Sequence, residues 1–345
     1  MEPAYWECAK SDRGDGAISN IIAFLSCSSL FLSVGLLIML CFLTGKTRTY
    51  LTHLRAITGS TVLCSFMGLC NYLIPTRFAP TDYIFGPIVC HVWSSLYLFD
   101  VSYIFGVLNL VFMVGHRAIQ IAEKYQNSFA PSMFSDLTCV LILGLSSILS
   151  ILSQAFLVKW SGRDCLCRET DVPYWVLVSA YVGTFVRFGL AVFISPIILF
   201  LSCYKIVQWV RSKPTEKLLD TWNGLAPPGT TEQQTASLLR PRGWMTASMC
   251  TLPLSINFVA CSLYNTIYQF ICAVGLCKVV QDSLSYRLGI LLLYLHLFLS
   301  PIIIAVYIPA LRDPVVRGIK RLLPRLFGKK TRRFVENDTE ELNGP

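Results

Sequence analysis

Residues 18–43, ISNIIAFLSCSSLFLSVGLLIMLCFL, contain no charged side chain. A helix needs about 20 mainly apolar residues to cross the hydrocarbon core of a bilayer, so this run is long enough to span a membrane. Six runs of similar character follow it, at Leu51–Pro75, Ile88–Gly115, Leu137–Val158, Tyr174–Tyr204, Trp244–Ala273 and Leu284–Ile308. The pattern predicts an all-α fold, a bundle of seven transmembrane helices.

The composition also indicates a membrane protein. Of 345 residues, 54% are hydrophobic and 14% are charged, whereas soluble domains carry about 25% charged residues. The connections between the runs are short except for residues 205–243, so we expect one membrane domain at 18–308 between an N-terminal segment, 1–17, and a tail, 309–345. The runs hold no paired acids or histidine cluster, which disfavours an enzyme, a metal site and a cofactor. His296 stands alone and is expected to bond a polar neighbour in the core.

The cations are unevenly placed along the chain. More than twice as many Lys and Arg flank the spans on the side of the C-terminal tail as on the other side, and such cations stay in the cytoplasm. We therefore expect a plasma-membrane protein with its N-terminus outside. The formal net charge of +9 then lies on the inner face, where it suits anionic lipid head groups rather than nucleic acid.

Two segments on the predicted inner side have distinct compositions. The loop 205–243 contains LAPPGTT from Leu225 onward, which we expect to be flexible because such a composition cannot build a core. Residues 312–327 place apolar side chains near one helical stripe with cations opposite, which predicts a short amphipathic helix on the membrane surface after span seven. The remaining residues of the tail are expected to be disordered.

The cysteines fall into two groups. Six lie before or between the apolar runs or close to the ends of runs on the predicted outer side, which is the compartment that permits disulfides. These six are Cys8, Cys90, Cys165, Cys167, Cys272 and Cys277.

Three stretches resemble the rhodopsin-like (class A) G protein-coupled receptors, and among them the amine and muscarinic acetylcholine branch. They are FGPIVCHVW at Phe85–Trp93, FISP at Phe193–Pro196 followed by Tyr204, and SPIIIAVYIPALRD at Ser300–Asp313. The resemblance covers most of the membrane domain. It implies an extracellular ligand, a heterotrimeric G protein as partner, and disulfides from Cys90 to Cys165 or Cys167 and from Cys272 to Cys277.

The resemblance also implies roles in span five and at the inner end of span three. Pro196 is expected to kink its helix into a bulge that aims Phe193 into the bundle. Arg117 and Tyr204 are expected to contact the G protein. His116 stands where the family has the aspartate that holds the arginine, so we expect a less restrained inactive state unless His116 or Glu123 compensates.

Other departures from the family concern buried polar groups. Span two holds no acid, and span six lacks the tryptophan-x-proline of the family. The buried polar relay that links the spans of these receptors is therefore expected to be largely missing.

Asp100 is the only acid in any span, and an ionisable group inside a membrane is a functional hypothesis by default. The resemblance implies that it pairs with the ammonium group of a ligand. Counting from Cys90 puts Tyr97 at the ligand position and counting from Arg117 puts Phe99 there, so Asp100 faces the pocket only if the helix is locally adjusted. The alternative is an acid neutralised by a proton or by Arg187 across the bundle.

Aromatic and amide side chains complete the predicted ligand site. Tyr264, Asn265 and Tyr294 match pocket residues of muscarinic receptors, and aromatic walls suit a cation. The full set of candidates is Asp100, Trp93, Tyr97, Tyr103, Phe188, Tyr264, Asn265 and Tyr294. They predict a receptor for a biogenic amine or an acetylcholine-like cation. A peptide or chemosensory ligand for the same fold, or a membrane transporter, remains the alternative.

Overall fold

The computed structural model describes residues 4–8, 16–45, 47–73, 82–122, 133–169, 172–212, 214, 218–231, 233, 238–239, 245–281 and 283–313. Seven helices of this part are long: α1 (Ala17–Phe42), α2 (Arg48–Leu73), α3 (Tyr97–Ile121), α4 (Met133–Ser150), α5 (Tyr174–Ser212), α6 (Thr251–Ala273) and α7 (Leu284–Tyr307). The architecture is therefore a helical bundle.

Five of these helices, α1, α2, α3, α5 and α7, are long and apolar enough to cross a membrane. The apolar part of α4 is shorter, Phe134–Ser150, and α6 contains several amides among its apolar residues. Large apolar side chains point outward along the bundle, for example Phe31 at 74% and Phe200 at 72% exposure. Such surfaces are stable against lipid and not against water, so the fold is that of a helical membrane protein.

The helices pack in a closed set of neighbours. α1 lies against α2 and α7, α2 against α3, α3 against α5, and α6 against α7. The end of α1 is capped by the next helix, because Arg55 donates to the carbonyl oxygens of Leu40 at 2.9 Å and Leu43 at 3.1 Å. We call the end of the bundle near Cys90 the disulfide end and the opposite end, near Arg117, the arginine end.

The entry to α3 is irregular. A short helix at Phe85–Ile88 continues as a π-helical turn over Val89–Ser94. Leu96 then adopts a left-handed backbone conformation, with φ of 61°, before α3 begins at Tyr97. This break accommodates extra residues between Cys90 and Arg117 without lengthening α3. It also changes the direction in which the side chains of α3 point, relative to one continuous helix.

The bulge predicted near Pro196 is confirmed, because residues Gly189–Ile194 of α5 form a π-helical turn. The prediction that Phe193 points into the bundle is wrong: this side chain is 54% exposed. A π-helical turn holds more residues than an α-helical turn, and each residue rotates the helix by about 100°. The bulge therefore turns Phe193 outward.

Helix ends differ from the sequence pattern at two places. α5 continues past Tyr204 to Ser212, because Ile206 and Val210 are buried one turn apart and extend the apolar stripe. α6 begins at Thr251 rather than at Trp244, which lies outside the described residues. The surface helix at 312–327 lies outside them too except for Arg312 and Asp313.

The prediction that LAPPGTT is flexible is wrong for the first two residues of this stretch. Leu225 is fully buried and Ala226 nearly so, since both lie with the helices in the main core cluster or against Thr44. The composition of LAPPGTT itself gives no sign of this, because most of the apolar residues that anchor the segment, Leu218 and Trp222 among them, precede it.

Two short sheets lie at the disulfide end. β1 (Trp6–Glu7) pairs in parallel with β4 (Val279–Val280), and β2 (Val158–Trp160) pairs antiparallel with β3 (Cys165–Cys167). The N-terminal segment is thereby attached to the connection between α6 and α7.

Candidate functional site

Three disulfides hold the disulfide end together. Cys90 is joined to Cys165 and Cys272 to Cys277. A further bridge joins Cys8 to Cys167, so the two end residues of β3 tie this strand to the entry of α3 and to the N-terminal segment. The sequence placed Cys8 on the same side but did not indicate its partner.

A cavity lies between α3, α5, α6 and α7 just below these bridges. Its lining residues are Asp100, Tyr103, Ile104, Val107, Leu108, Ile151, Thr184, Arg187, Leu190, Ala191, Ser195, Phe258, Ser262, Asn265, Thr266, Gln269 and Leu293. Its volume of about 70 Å³ is room for only a few water-sized groups, since one water needs about 10–15 Å³.

Asp100 reaches this cavity because α3 is locally adjusted. The break at Leu96 comes one turn before Asp100, whose backbone N–H already bonds to the Leu96 carbonyl at 3.0 Å. The condition stated from the sequence, that Asp100 faces the pocket only through such an adjustment, is thus met by the π-helical turn and the left-handed residue.

Arg187 lines the same cavity from α5. Its guanidinium donates to the Gly183 carbonyl and to Thr184 Oγ1, both at 3.3 Å. Within the described part of the chain Asp100 and Arg187 make no ion pair with each other. The expected alternative of a direct pair is therefore not the arrangement seen, although the two charges share one cavity.

Three more polar atoms of the cavity lining are buried and make no well-formed hydrogen bond with the described residues, although two of them, the Tyr103 and Ser262 hydroxyls, lie close enough to interact weakly. They are Tyr103 Oη on α3 and Ser262 Oγ and Asn265 Oδ1 on α6. A buried polar group without a partner costs about 1–3 kcal/mol, so this part of the cavity is built for polar contacts. Ser262 was not singled out from the sequence, because a lone serine in a span carries no distinct pattern.

The structure brings Asp100, Tyr103 and Asn265 together and places the other candidates elsewhere. Trp93 meets Phe66 edge-on, and Tyr97 Oη donates to a carbonyl of α4 at 3.2 Å. Phe188 stacks on Phe270 with ring centroids 3.7 Å apart. Aromatic side chains at helix faces serve packing here, which their spacing in the sequence does not distinguish from lining a pocket.

The remaining two tyrosines also lie off the cavity. Tyr264 is on an exposed face of α6. Tyr294 is buried against α2 and α3, with its ring centroid 5.7 Å from that of Phe99. A methyl group at Gly68 would collide with the Tyr294 ring, so the absence of a side chain at Gly68 permits this close approach of α7 to α2.

We expect Gly68→Ala to destabilise the bundle by about 1–3 kcal/mol, the usual cost of overpacking. Gly59→Ala is the matched control on the same helix, because a methyl group at Gly59 meets no atom within 4 Å. This change should be neutral or stabilising by up to about 1 kcal/mol through helix propensity. The unfolding temperature of the purified chain measures both effects. Equal unfolding temperatures would show that Tyr294 does not pack on Gly68.

Arg117 is the centre of a second cluster, at the arginine end. The side chain is 5% exposed, and its Nη2 lies 2.8 Å from Asp220 Oδ1 in an ion pair. Nε donates to Ser248 Oγ at 2.8 Å and Nη1 to Thr221 Oγ1 at 3.2 Å. The arginine is therefore buried with its charge compensated.

Asp220 is fully buried and serves as the hub of this cluster. Its carboxylate accepts from Ser248 N at 2.9 Å, Ser248 Oγ at 2.8 Å and Trp222 N at 3.0 Å, in addition to Arg117. Such charge-assisted bonds are about twice as strong as neutral ones. Asp220 thereby fixes the connection after α5 to the start of α6.

The residues around Asp220 form what we call the cap segment, residues 218–226, which closes the arginine end of the bundle. Trp222 is 1% exposed and stacks on Tyr50, with ring centroids 3.8 Å apart. The Arg117 guanidinium carbon lies 4.9 Å from the Trp222 ring centroid. Ala226 pairs with Thr44 through two backbone hydrogen bonds of 2.9 Å. The segment thus bridges α1, α2 and α3.

Neither of the described side chains that were predicted to act together with Arg117 contacts its guanidinium. Tyr204 is 58% exposed on the surface of α5, because the π-helical turn also rotates this part of the helix. His116 stacks on Phe112, and Glu123 lies outside the described residues. The sequence did not indicate Asp220 as the counter-ion; the only signal was the unusual run of Leu218, Leu219, Trp222 and Leu225 around an acid within a loop.

The residues of the family's polar relay are absent, but other buried polar side chains link the helices. Asn257 Nδ2 on α6 lies 3.0 Å from His296 Nδ1 and 3.1 Å from the His296 carbonyl on α7, so the prediction of a polar neighbour for His296 is confirmed. His53 on α2 lies 2.7 Å from Asn109 on α3. Different residue types at different positions therefore link the helices.

A comparison with models of protein families finds no match to this chain, and a search of curated proteins finds no similar sequence either.

Proposed function

We propose that this chain is a seven-span receptor of the plasma membrane that senses a small extracellular ligand and activates a heterotrimeric G protein. The observation that carries the proposal is the burial of Arg117 in an ion pair under the cap segment. This arginine lies near one end of α3, and the polar cavity lies near the other end. Asp100 and Arg117 are about 25 Å apart along α3 at 1.5 Å per residue. One helix therefore joins a candidate ligand site to a candidate coupling site.

Two independent features support the proposed orientation. Disulfides form in oxidising compartments, which favours an outside position for the end with Cys90, Cys165 and the other bridged cysteines. The cations cluster toward the other end, which suits the cytoplasmic leaflet and its anionic lipids. On this orientation the cavity lies in the outer half of the bundle and the cap segment faces the cytoplasm.

The cap segment supports a signalling role because it closes the inner end with a loop rather than with a helix. Its contacts are side-chain and loop contacts: an ion pair with its hydrogen bonds to Ser248, one aromatic stack, one two-bond backbone bridge and the burial of a few apolar side chains. These can separate without any helix unfolding. A ligand that binds the uncapped arrangement more tightly would shift the population toward it, and G protein binding to the exposed arginine would in turn raise ligand affinity.

The cavity also bears on the class of ligand. A volume of about 70 Å³ suits a small molecule rather than a peptide, and Asp100 suits a ligand with a cationic group. Pairing in such a low-dielectric site is much stronger than in water. The proposed ligand is therefore small and at least partly cationic.

We expect Asp100→Asn to lower the potency of a small cationic agonist by about 30-fold or more, because loss of one partner of a buried charge pair costs about 2–5 kcal/mol. The measurement is second-messenger output in cells exposed to a panel of biogenic amines, acetylcholine and small amino acids. Asp82→Asn is the matched control, since Asp82 is exposed at the same end. Agonist potency that is equal in the two variants at equal surface expression would contradict the ligand site.

A further inference from the structure

The cavity carries one side chain of each charge. Asp100 enters from α3 and Arg187 from α5, and within the described residues they make no ion pair. We propose that the ligand is a small zwitterion, an amino-acid-like molecule whose ammonium group binds Asp100 and whose carboxylate or similar anion binds Arg187. This inference rests on the proposed ligand site and adds the anionic half of the ligand.

The charges favour a zwitterion over a simple amine or a simple acid. An amine bound at Asp100 would share the cavity with an uncompensated guanidinium, and an acid bound at Arg187 would share it with an uncompensated carboxylate. Each arrangement brings like charges together in a site of low dielectric constant. A ligand with both charges gives Asp100 and Arg187 a partner each.

Three polar atoms of the lining that make no well-formed hydrogen bond provide a second, independent observation. Tyr103 Oη, Ser262 Oγ and Asn265 Oδ1 are all buried in the lining, with Ser262 98% buried at 2% exposure. A hydroxyl can donate or accept, and an amide oxygen accepts. Together they can bond the remaining N–H groups of an ammonium and one oxygen of a carboxylate. A cation without N–H groups, such as a quaternary ammonium ion, would donate no hydrogen bond to these atoms.

The size of the cavity restricts the zwitterion. With about 70 Å³ it admits a backbone-sized amino acid and excludes a large side chain. Leu108, Leu190, Phe258 and other apolar residues close the rest of the lining. The expected ligand therefore has its two charges separated by a short carbon chain.

The test measures binding to the purified full chain in lipid nanodiscs by the shift of its unfolding temperature, because a ligand that binds the folded state stabilises it. The probes are glycine, β-alanine and γ-aminobutyrate. Each is compared with its matched amine, which is methylamine, ethylamine or propylamine, and with its matched acid, which is acetate, propionate or butyrate. We expect at least one zwitterion to bind at least tenfold more tightly than both of its matched compounds.

Variants assign each half of the ligand. Arg187→Gln should weaken zwitterion binding at least tenfold and leave binding of the matched amine unchanged or tighter. Asp100→Asn should also weaken zwitterion binding at least tenfold, and it should leave binding of the matched acid unchanged or tighter. Arg187→Lys keeps the charge and should retain zwitterion binding within about tenfold, which separates a lost contact from a misfolded variant. Arg163→Gln is the control, because Arg163 is exposed at the same end and does not line the cavity.

Two results would overturn the inference. One is that no zwitterion of the series stabilises the wild-type chain. The other is that an amine binds as tightly as its zwitterion and that Arg187→Gln changes neither affinity. Both results concern ligand chemistry alone. The proposed receptor function is tested separately, by signalling that depends on Arg117, and would fail by a different readout.

Discussion

Asp220→Asn is expected to raise ligand-independent signalling strongly, toward the maximum that the cell's G protein supply allows. The substitution keeps the size of the side chain and removes the charge that compensates buried Arg117. Removing one partner of a buried ion pair costs about 3–5 kcal/mol, and each 1.4 kcal/mol is tenfold. The ratio of the capped to an uncapped arrangement, in which Arg117 reaches water or a partner, therefore falls by roughly 100- to 4,000-fold.

The measurement is second-messenger output without ligand at matched surface expression. Asp136→Asn is the control, because Asp136 is another buried aspartate, bonded to the Thr49 hydroxyl at 2.8 Å rather than to Arg117. It should leave basal output at the wild-type level. An equal rise in both variants would point to general loosening of the bundle, and no rise in Asp220→Asn would mean that the cap segment does not restrain signalling.

A covalent link between the cap segment and α1 should abolish the activity of Asp220→Asn. Thr44 and Ala226 exchange two backbone hydrogen bonds, and residues paired in this way have Cα atoms about 5.5 Å apart, within the range of a disulfide. Thr44→Cys/Ala226→Cys in the Asp220→Asn background is therefore expected to hold the segment in place once oxidised. Activity of the linked fraction should fall to background, because a covalent bond does not release at any ligand concentration.

This experiment uses the purified chain, since the cytoplasm keeps thiols reduced. Nucleotide exchange on a G protein is measured after oxidation and again after reduction, which should restore it. The single variant Thr44→Cys in the same background controls for the nearby free thiol of Cys41. Full activity of the oxidised double-cysteine chain would show that the segment need not leave.

The sequence predicted the helices of this fold better than their ends. Long uncharged runs such as Ile18–Leu43 have no alternative to helix in a membrane, since every backbone group must be bonded within the segment. The end of α5 was missed because Ile206 and Val210 continue the buried stripe among cations. The start of α6 was missed because apolar residues before Thr251 belong to a turn that packs on the cap segment.

The candidate sites were predicted in part. Asp100 stood out because a lone acid in an apolar run has few structural reasons to be there. Its orientation could not be predicted, since it depends on a π-helical turn and a left-handed Leu96. Asp220 was missed because its role depends on the folding of a loop back onto the helices, and no local pattern encodes that contact.

The most direct test of the account is guanine nucleotide exchange on a purified heterotrimeric G protein, taken from each class in turn, in the presence of the purified chain and no ligand. We predict that Asp220→Asn accelerates exchange above the wild-type chain for at least one class. The charge-neutral double variant Asp220→Asn/Arg117→Gln should return exchange to the rate without receptor. Exchange that is the same with all three chains, for every class of G protein, would contradict the proposal that Arg117 couples this chain to a G protein.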